Sequence, residues 1–288
     1  MLKRIRRFPS VAGIFYEPDR DALRSQIEWC FQHPLGPGKL PEKSRKIEEG
    51  GEIKALIVPH AGVMYSGPIA AHAYYELGLS GGAETFVIIG PNHTGLGAPL
   101  AVYPGGEWIT PLGTTSVDEE FVEKLAQLLG EESIDEKAHL FEHSIEVQLP
   151  FLQYLFGNNF RIIAITMYDQ SIENAKRLAE AIYGAEKEFG RRIVVIATSD
   201  LSHYVTRDEA YQYDKRIISA IEELDAAKVY ETIMDNTLPV CGPGPIVAAI
   251  HYSLLRGAQQ AKLLAYATSG DIAGGDTSVV GYASIKIT

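Results

Sequence analysis

The feature that most restricts what this chain can become is an alternation of two kinds of apolar pattern. Short runs of branched apolar residues, at 53–58, 85–89, 161–166, 192–197 and 262–267, alternate with segments whose apolar residues recur at helical spacing, at 66–77, 117–129, 144–156, 172–189, 207–224 and 243–255. Runs so continuously apolar suit strands covered on both faces, because a strand with one wet face would alternate apolar with polar. Strands separated by helices then predict an α/β layered sandwich with a mostly parallel central sheet flanked by helices. No helical segment separates 262–267 from 279–287, so that last pair should be antiparallel.

Local signals refine the helices. Ser66 with Pro68 just inside, and Gly242 followed by Pro243, read as helix starts, since proline lacks only an N–H that the first turn cannot use. Pro150 interrupts the pattern Ile145 to Leu152, so that helix should begin late or bend. Residues 23–31 are amphipathic, and residues 34–51, rich in glycine, proline and charge, read as an exposed loop. Neither an internal repeat nor a shift in composition marks a boundary, so residues 1–288 are read as one domain.

Composition removes several function classes. A net charge of −11 would repel a phosphate backbone, which argues against nucleic acid as a partner. The basic cluster Lys3, Arg4, Arg6 and Arg7 is followed by Pro9, Gly13 and Tyr16 rather than by the apolar run of a secretory signal. No stretch approaches the ~20 apolar residues of a membrane span. The cysteines, Cys30 and Cys241, are too few for a disulfide framework, and a cytoplasmic location is expected. Cys30 lies in the amphipathic segment and reads as a small buried apolar residue.

The chemistry concentrates at strand ends. The run at 53–58 leads into His60, the run at 85–89 into Asn92 and His93, and the run at 192–197 into Asp200 and His203. In open α/β sheets ligands bind beyond the carboxyl ends of the strands, so these three histidines should converge on one crevice. His33, in a loop, and His72 and His251, within helices, need no special role. Cys241 precedes Gly242-Pro-Gly-Pro245, which places its sulfur at a helix N-terminus, where the dipole would lower a thiol pKa. Imidazole and thiolate together select iron, copper or zinc over magnesium and calcium. The string His139-Leu-Phe-Glu142-His143 matches the H-x-x-E-H pattern of inverted zincins, but its histidines fall on the approach to a helix starting near His143 or Ser144. Glu142 and His143 therefore fit better as proton-handling or supporting residues beside the histidine and cysteine site. A P-loop, a G-x-G-x-x-G and a G-x-S-x-G are all missing, which leaves nucleotide binding and serine hydrolysis unsupported.

Taken together, the strings Val58-Pro-His-Ala-Gly62, Tyr65-Ser-Gly67, Gly90-Pro-Asn-His-Thr94, Glu142-His-Ser-Ile-Glu146, Thr198-Ser-Asp-Leu-Ser-His203 and Cys241-Gly-Pro-Gly-Pro245 resemble the Memo family over residues 9–287. The resemblance implies a fold similar to class III extradiol dioxygenases, which use non-haem iron(II). It implies that His60 and His93 are metal ligands and that His203 is an acid or base. It also implies that Cys241 is a third ligand where the dioxygenases have a carboxylate. Asp200 is expected either to orient His203 or to cap a helix, and Asp276, in a glycine-rich turn, either lines the crevice or serves the turn.

Three functions follow from this pattern: an iron(II)-dependent redox enzyme, with copper or zinc as other fits to the ligand set; a module that binds peptides or phosphotyrosine; and a cysteine hydrolase with Cys241 as nucleophile. The expected partner is a small-molecule or peptide ligand. The resemblance adds a pathway link to a radical-SAM protein and leaves a homo-oligomer open.

Overall fold

A computed structural model describes residues 5–41, 52–235 and 239–288. The elements in chain order are β1 (Arg6–Arg7), α1 (Arg20–Gln32), β2 (Ala55–Val58), α2 (Val63–Leu79), β3 (Thr85–Pro91), β4 (Leu100–Val102), β5 (Glu107–Thr110), β6 (Gly113–Val117), α3 (Glu119–Leu129), α4 (Leu149–Phe156), β7 (Arg161–Met167), α5 (Ile172–Phe189), β8 (Ile193–Thr198), β9 (His203–Val205), α6 (Arg207–Glu222), α7 (Ala226–Asp235), α8 (Pro243–Leu255), β10 (Ala261–Thr268), α9 (Ser269–Ala273) and β11 (Val279–Ile287). The strands form one sheet in the order β1-β5-β6-β7-β3-β8-β2-β11-β10, with β4 on β7 and β9 on β11. Its centre, β6-β7-β3-β8-β2, is parallel, and β11 and β10 close one side in the antiparallel pairing expected, although the five-residue helix α9, which the sequence reading lacked, lies between them. The fold is thus the α/β layered sandwich expected.

β2, β3 and β8 are buried at every residue, which is why their sequences are apolar without alternation. Helices α1, α2 and α4 pack on one another; α3, α5, α8, α7 and α6 form a second connected layer. Both layers reach β2, through α2 and α8. Leu23, Ile27, Cys30 and Phe31 of α1 are buried, so Cys30 is the core residue it was taken for.

Several starts differ from the sequence reading. α2 begins at Val63 with Gly62 as its cap, and Pro68 sits inside it. Ser66 is not a cap: its hydroxyl donates to the Ala61 carbonyl at 2.8 Å. Because Pro150 cannot donate to the preceding turn, α4 starts only at Leu149, after a 3₁₀ turn at Glu146–Gln148, later than the His143 or Ser144 start expected. Strands β1, β4 to β6 and β9 and helices α7 and α9 were not anticipated, these strands being at most five residues long. Residues 34–37 form a turn and 38–41 have no regular structure; the rest of the anticipated loop, 42–51, lies outside the described residues, as do Lys3 and Arg4.

Candidate metal centre

The parallel register sets the site. Val58 of β2 lies beside Thr198 of β8, and β3 lies on the other side of β8, so three strand ends open onto one rim. His60 leaves β2 two residues after its end and is 1% exposed. Its N–H donates to Asp200 Oδ1 at 2.8 Å, and its Nδ1 lies 2.6 Å from Thr198 Oγ1. Gln148 also donates to that threonine oxygen at 3.1 Å and is itself fixed by the Tyr74 hydroxyl at 2.7 Å. The ring is thereby oriented with Nε2 toward Cys241, whose Sγ is 3.1 Å away. Burial, and then the neighbouring His143, His93 and His203, push the His60 pKa well below its ordinary value, so the ring is neutral, the form that binds metals.

His93 follows β3 in a turn in which Asn92 Oδ1 accepts from the Thr94 and Gly95 amides, each at 3.0 Å. Glu142, fully buried, grips this histidine twice: Oε2 accepts the backbone N–H at 2.6 Å, and Oε1 lies 2.9 Å from Nδ1. Burial alone would raise the Glu142 pKa, but the hydrogen bond to His93 and the charges of His93 and His143 outweigh it and hold it at about 2. Glu142 is therefore an ionised carboxylate at neutral pH. Gly90 lets this arm form, since a Cβ there would collide with the Ser144 hydroxyl.

Cys241 arrives from the other direction, on the residue before the N-cap of α8. A Cβ on Gly242 would lie 2.7 Å from Ser199 Cβ and 2.8 Å from the Thr198 carbonyl, so only glycine lets the helix start this close to the end of β8. Gln170 holds the junction, donating to the Cys241 carbonyl at 2.9 Å and accepting from the Gly244 amide at 3.1 Å. The sulfur accepts the Asp200 N–H at 3.0 Å. The expected lowering of the thiol pKa is not found: burial, and then the Asp200 carboxylate, outweigh the donors around the sulfur and push it well above its usual value.

The donor atoms of His60, His93 and Cys241 all lie within 4.8 Å of one another. A nitrogen and a sulfur sharing one tetrahedral ion at ordinary bond lengths would be ~3.6 Å apart, against 3.1 Å between His60 Nε2 and Cys241 Sγ and an upper bound of 4.8 Å for the set, so these are donors that one transition-metal ion could draw together. His143 stacks on His93 at a centroid distance of 4.5 Å and lies 5.5 Å from His60. Burial first, and His93 among its neighbours, lower its pKa to about 4. His203 completes the group from β9: its Nδ1 lies 2.7 Å from both the Leu201 and Pro239 carbonyls, and one of its nitrogens is within 4.8 Å of Asp200 and Cys241 donors.

Asp200 caps no described helix, and although its carboxylate lies within 4.8 Å of a His203 nitrogen, its hydrogen bonds go elsewhere. Thr206 caps α6 and two carbonyls hold His203, while the Asp200 carboxylate accepts from the His60 and Ala61 amides. Asp276 pairs with Arg207 at 3.2 Å in an exposed turn. His139 is buried apart from these donors, so no H-x-x-E-H site forms among the described residues. Thr198, Gln148 and Gln170 were missed. The first two end or interrupt apolar runs, a signal that becomes legible only with partners from distant segments.

A family model described as Memo-like protein matches residues 7–286. A MEMO1 family protein of Methanothermobacter thermautotrophicus is 48% identical over 280 residues, covering 97% of this chain and 99% of its own. One from Sulfolobus acidocaldarius is 46% identical over 280 residues, covering 97% and 98%. Among solved structures, an uncharacterized protein of Escherichia coli K12 superposes with a TM-score of 0.56 at 12% identity, over 81% of this chain and 99% of its own, a likeness of fold. Among the described residues, no helix is long and apolar enough to cross a membrane.

Proposed function

Since the chain belongs to the Memo family, we propose that it is a metal-dependent redox protein in which His60, His93 and Cys241 hold iron(II), with copper the next fit to the same donors. One observation carries this reading: two imidazoles and a thiol from three separate segments bring their donor atoms within 4.8 Å, each histidine having its other nitrogen already occupied. That second anchoring is how metal-binding histidines are usually held, because it fixes ring and tautomer before the ion arrives. A bound ion would supply Lewis acidity and an accessible one-electron couple at the strand ends.

The remaining side chains have defined tasks. Glu142 holds the His93 ring through its Nδ1, and Thr198 does the same for His60. Buried and neutral, His143 is placed to accept a proton at the edge of the cluster, whereas His203, gripped at Nδ1 by two carbonyls, offers Nε2 as its free nitrogen for proton transfer. Asp200 fixes the backbone that delivers His60.

Anaerobic loading of wild type and Cys241→Ala with iron(II), and separately with copper(I), tests the proposal. Elemental analysis should find one ion per wild-type chain, together with a thiolate-to-metal absorption band, and Cys241→Ala should lose both. Failure of the wild type to retain any transition metal, or equal retention by the variant, would overturn the reading.

A further inference from the structure

A second polar cluster, which the metal chemistry does not use, lies beneath the segment that carries Glu142. Tyr103, Trp108 and His139 are at most 1% exposed. Their rings meet edge to face, with centroids 5.4 Å apart for Tyr103–Trp108 and for Tyr103–His139, and 6.0 Å for Trp108–His139. Each carries one buried polar atom without a hydrogen-bond partner among the described residues: Tyr103 Oη, Trp108 Nε1 and His139 Nδ1. Lone orphans of this kind occur in folded proteins, but three on mutually touching rings are a shared demand for a ligand.

Charge and hydrogen-bond capacity define that ligand. The indole N–H can only donate. His139 Nε2 faces the Ala101 carbonyl at 3.2 Å and so carries the proton, which leaves Nδ1 as a bare acceptor. The tyrosine hydroxyl can do either. A cation is opposed by the indole N–H and by the Arg7 guanidinium, 4.4 Å above the Trp108 ring. An anion is opposed by the Nδ1 lone pair, and Arg7 has no donor to spare for it. Its five N–H groups already go to the His139, Phe8 and Glu142 carbonyls, the Ser10 hydroxyl and the Glu146 carboxylate. What remains is a small neutral molecule that accepts one hydrogen bond and donates another.

We infer that an internal water molecule sits between Tyr103 Oη, Trp108 Nε1 and His139 Nδ1, accepting from the indole, donating to the imidazole and bonding the phenol. It joins the segment leading to Glu142 to two strands: Trp108 belongs to β5, and Tyr103, just past β4, is tied to β7 through its N–H to the Ala164 carbonyl at 2.9 Å. The water is thereby part of the frame that holds the His93 arm, and its presence does not depend on whether a metal binds.

Two measurements on the wild-type chain test this. A high-resolution crystal structure should show one ordered peak ~2.7–3.2 Å from all three atoms. In solution the chain has two tryptophans, and the exposed Trp29 is identified by its loss in Trp29→Phe. The remaining indole proton, that of Trp108, should exchange slowly yet show a nuclear Overhauser effect to water with the sign of a long-lived bound molecule. A direct Tyr103–His139 bond with no density between the rings, a peak with the anomalous signal of chloride, or an indole proton without a water cross-peak would each overturn the inference.

Discussion

Replacing Glu142 by glutamine exchanges one oxygen for an NH₂ group and removes one charge at a side chain with no exposed surface. In the native structure Oε2 accepts the His93 amide at 2.6 Å, while Oε1 accepts the Ser144 amide at 2.9 Å and holds His93 Nδ1 at 2.9 Å. Glutamine keeps a single acceptor oxygen, so at least one buried N–H loses its partner, at a cost of ~1–3 kcal/mol. The charge has its own signature. Glu142 is held at about 2, against an ordinary value of 4.5, and a difference of that size corresponds to ~3 kcal/mol. Because the folded-state value is the lower one, this stability is fully present above pH ~4.5 and is lost as pH falls towards 2. His143, also lowered, adds a loss at higher pH, between its ordinary 6.5 and about 4, so the variant must be compared with wild type at each pH. Urea melts should show Glu142→Gln less stable at neutral pH, with the wild-type loss below pH ~4.5 flattened. Competition with a chelator should show metal affinity ~10–100-fold weaker, the usual effect of removing the group that orients a ligating histidine. A folded variant that keeps both the wild-type acid profile and the wild-type affinity would refute the role given to this carboxylate.

Arg7→Met should destabilise the chain by ~3–5 kcal/mol in denaturant melts, since it strands the buried Glu146 carboxylate, and adding Glu146→Gln should recover part of the loss. Asp214, fully buried, accepts from the Ser202 amide at 3.0 Å, its hydroxyl at 2.9 Å and the Tyr266 hydroxyl at 2.7 Å. Burial raises its pKa, so Asp214 contributes a decline in stability as pH rises from ~4 through the folded-state value, and urea melts over that range should show wild type losing stability relative to Asp214→Asn as pH rises. Tyr204 adopts φ 59° and is 78% exposed. Tyr204→Gly should therefore stabilise the fold by ~1 kcal/mol in the same assay, by relieving a left-handed backbone that only glycine takes without strain.

The helices and central strands were legible wherever a local signal sufficed. α5 runs from Ile172 to Phe189 as read, between the Ser171 cap and a left-handed Gly190, and α8 runs from Pro243 to Leu255 behind Gly242. His60 and His93 were legible for a related reason: buried strands are so uniformly apolar that a histidine just beyond them stands out. Partnerships across the chain were not. Arg7 read only as one of a basic cluster at the N-terminus, yet it is 2% exposed and paired with Glu146. Asp200 read as a residue that orients His203 or caps a helix, and only the register of β2 against β8 reveals that it serves the His60 amide. The lowered thiol pKa expected of Cys241 followed from its helix end alone, whereas burial and Asp200, both tertiary facts, decide the sign.

The separation along the chain between the groups that meet at the strand ends has a kinetic consequence. His60 and Thr198 are 138 residues apart, and His60 and Cys241 are 181. Contacts of such range close only after the loops between them have been ordered, so they belong among the late events of folding. An ion that needs all three donors then has little to hold in the transition state and everything to hold in the native state. It should leave the refolding rate almost unchanged and slow unfolding, acting as a latch on the finished structure rather than as a nucleus for it.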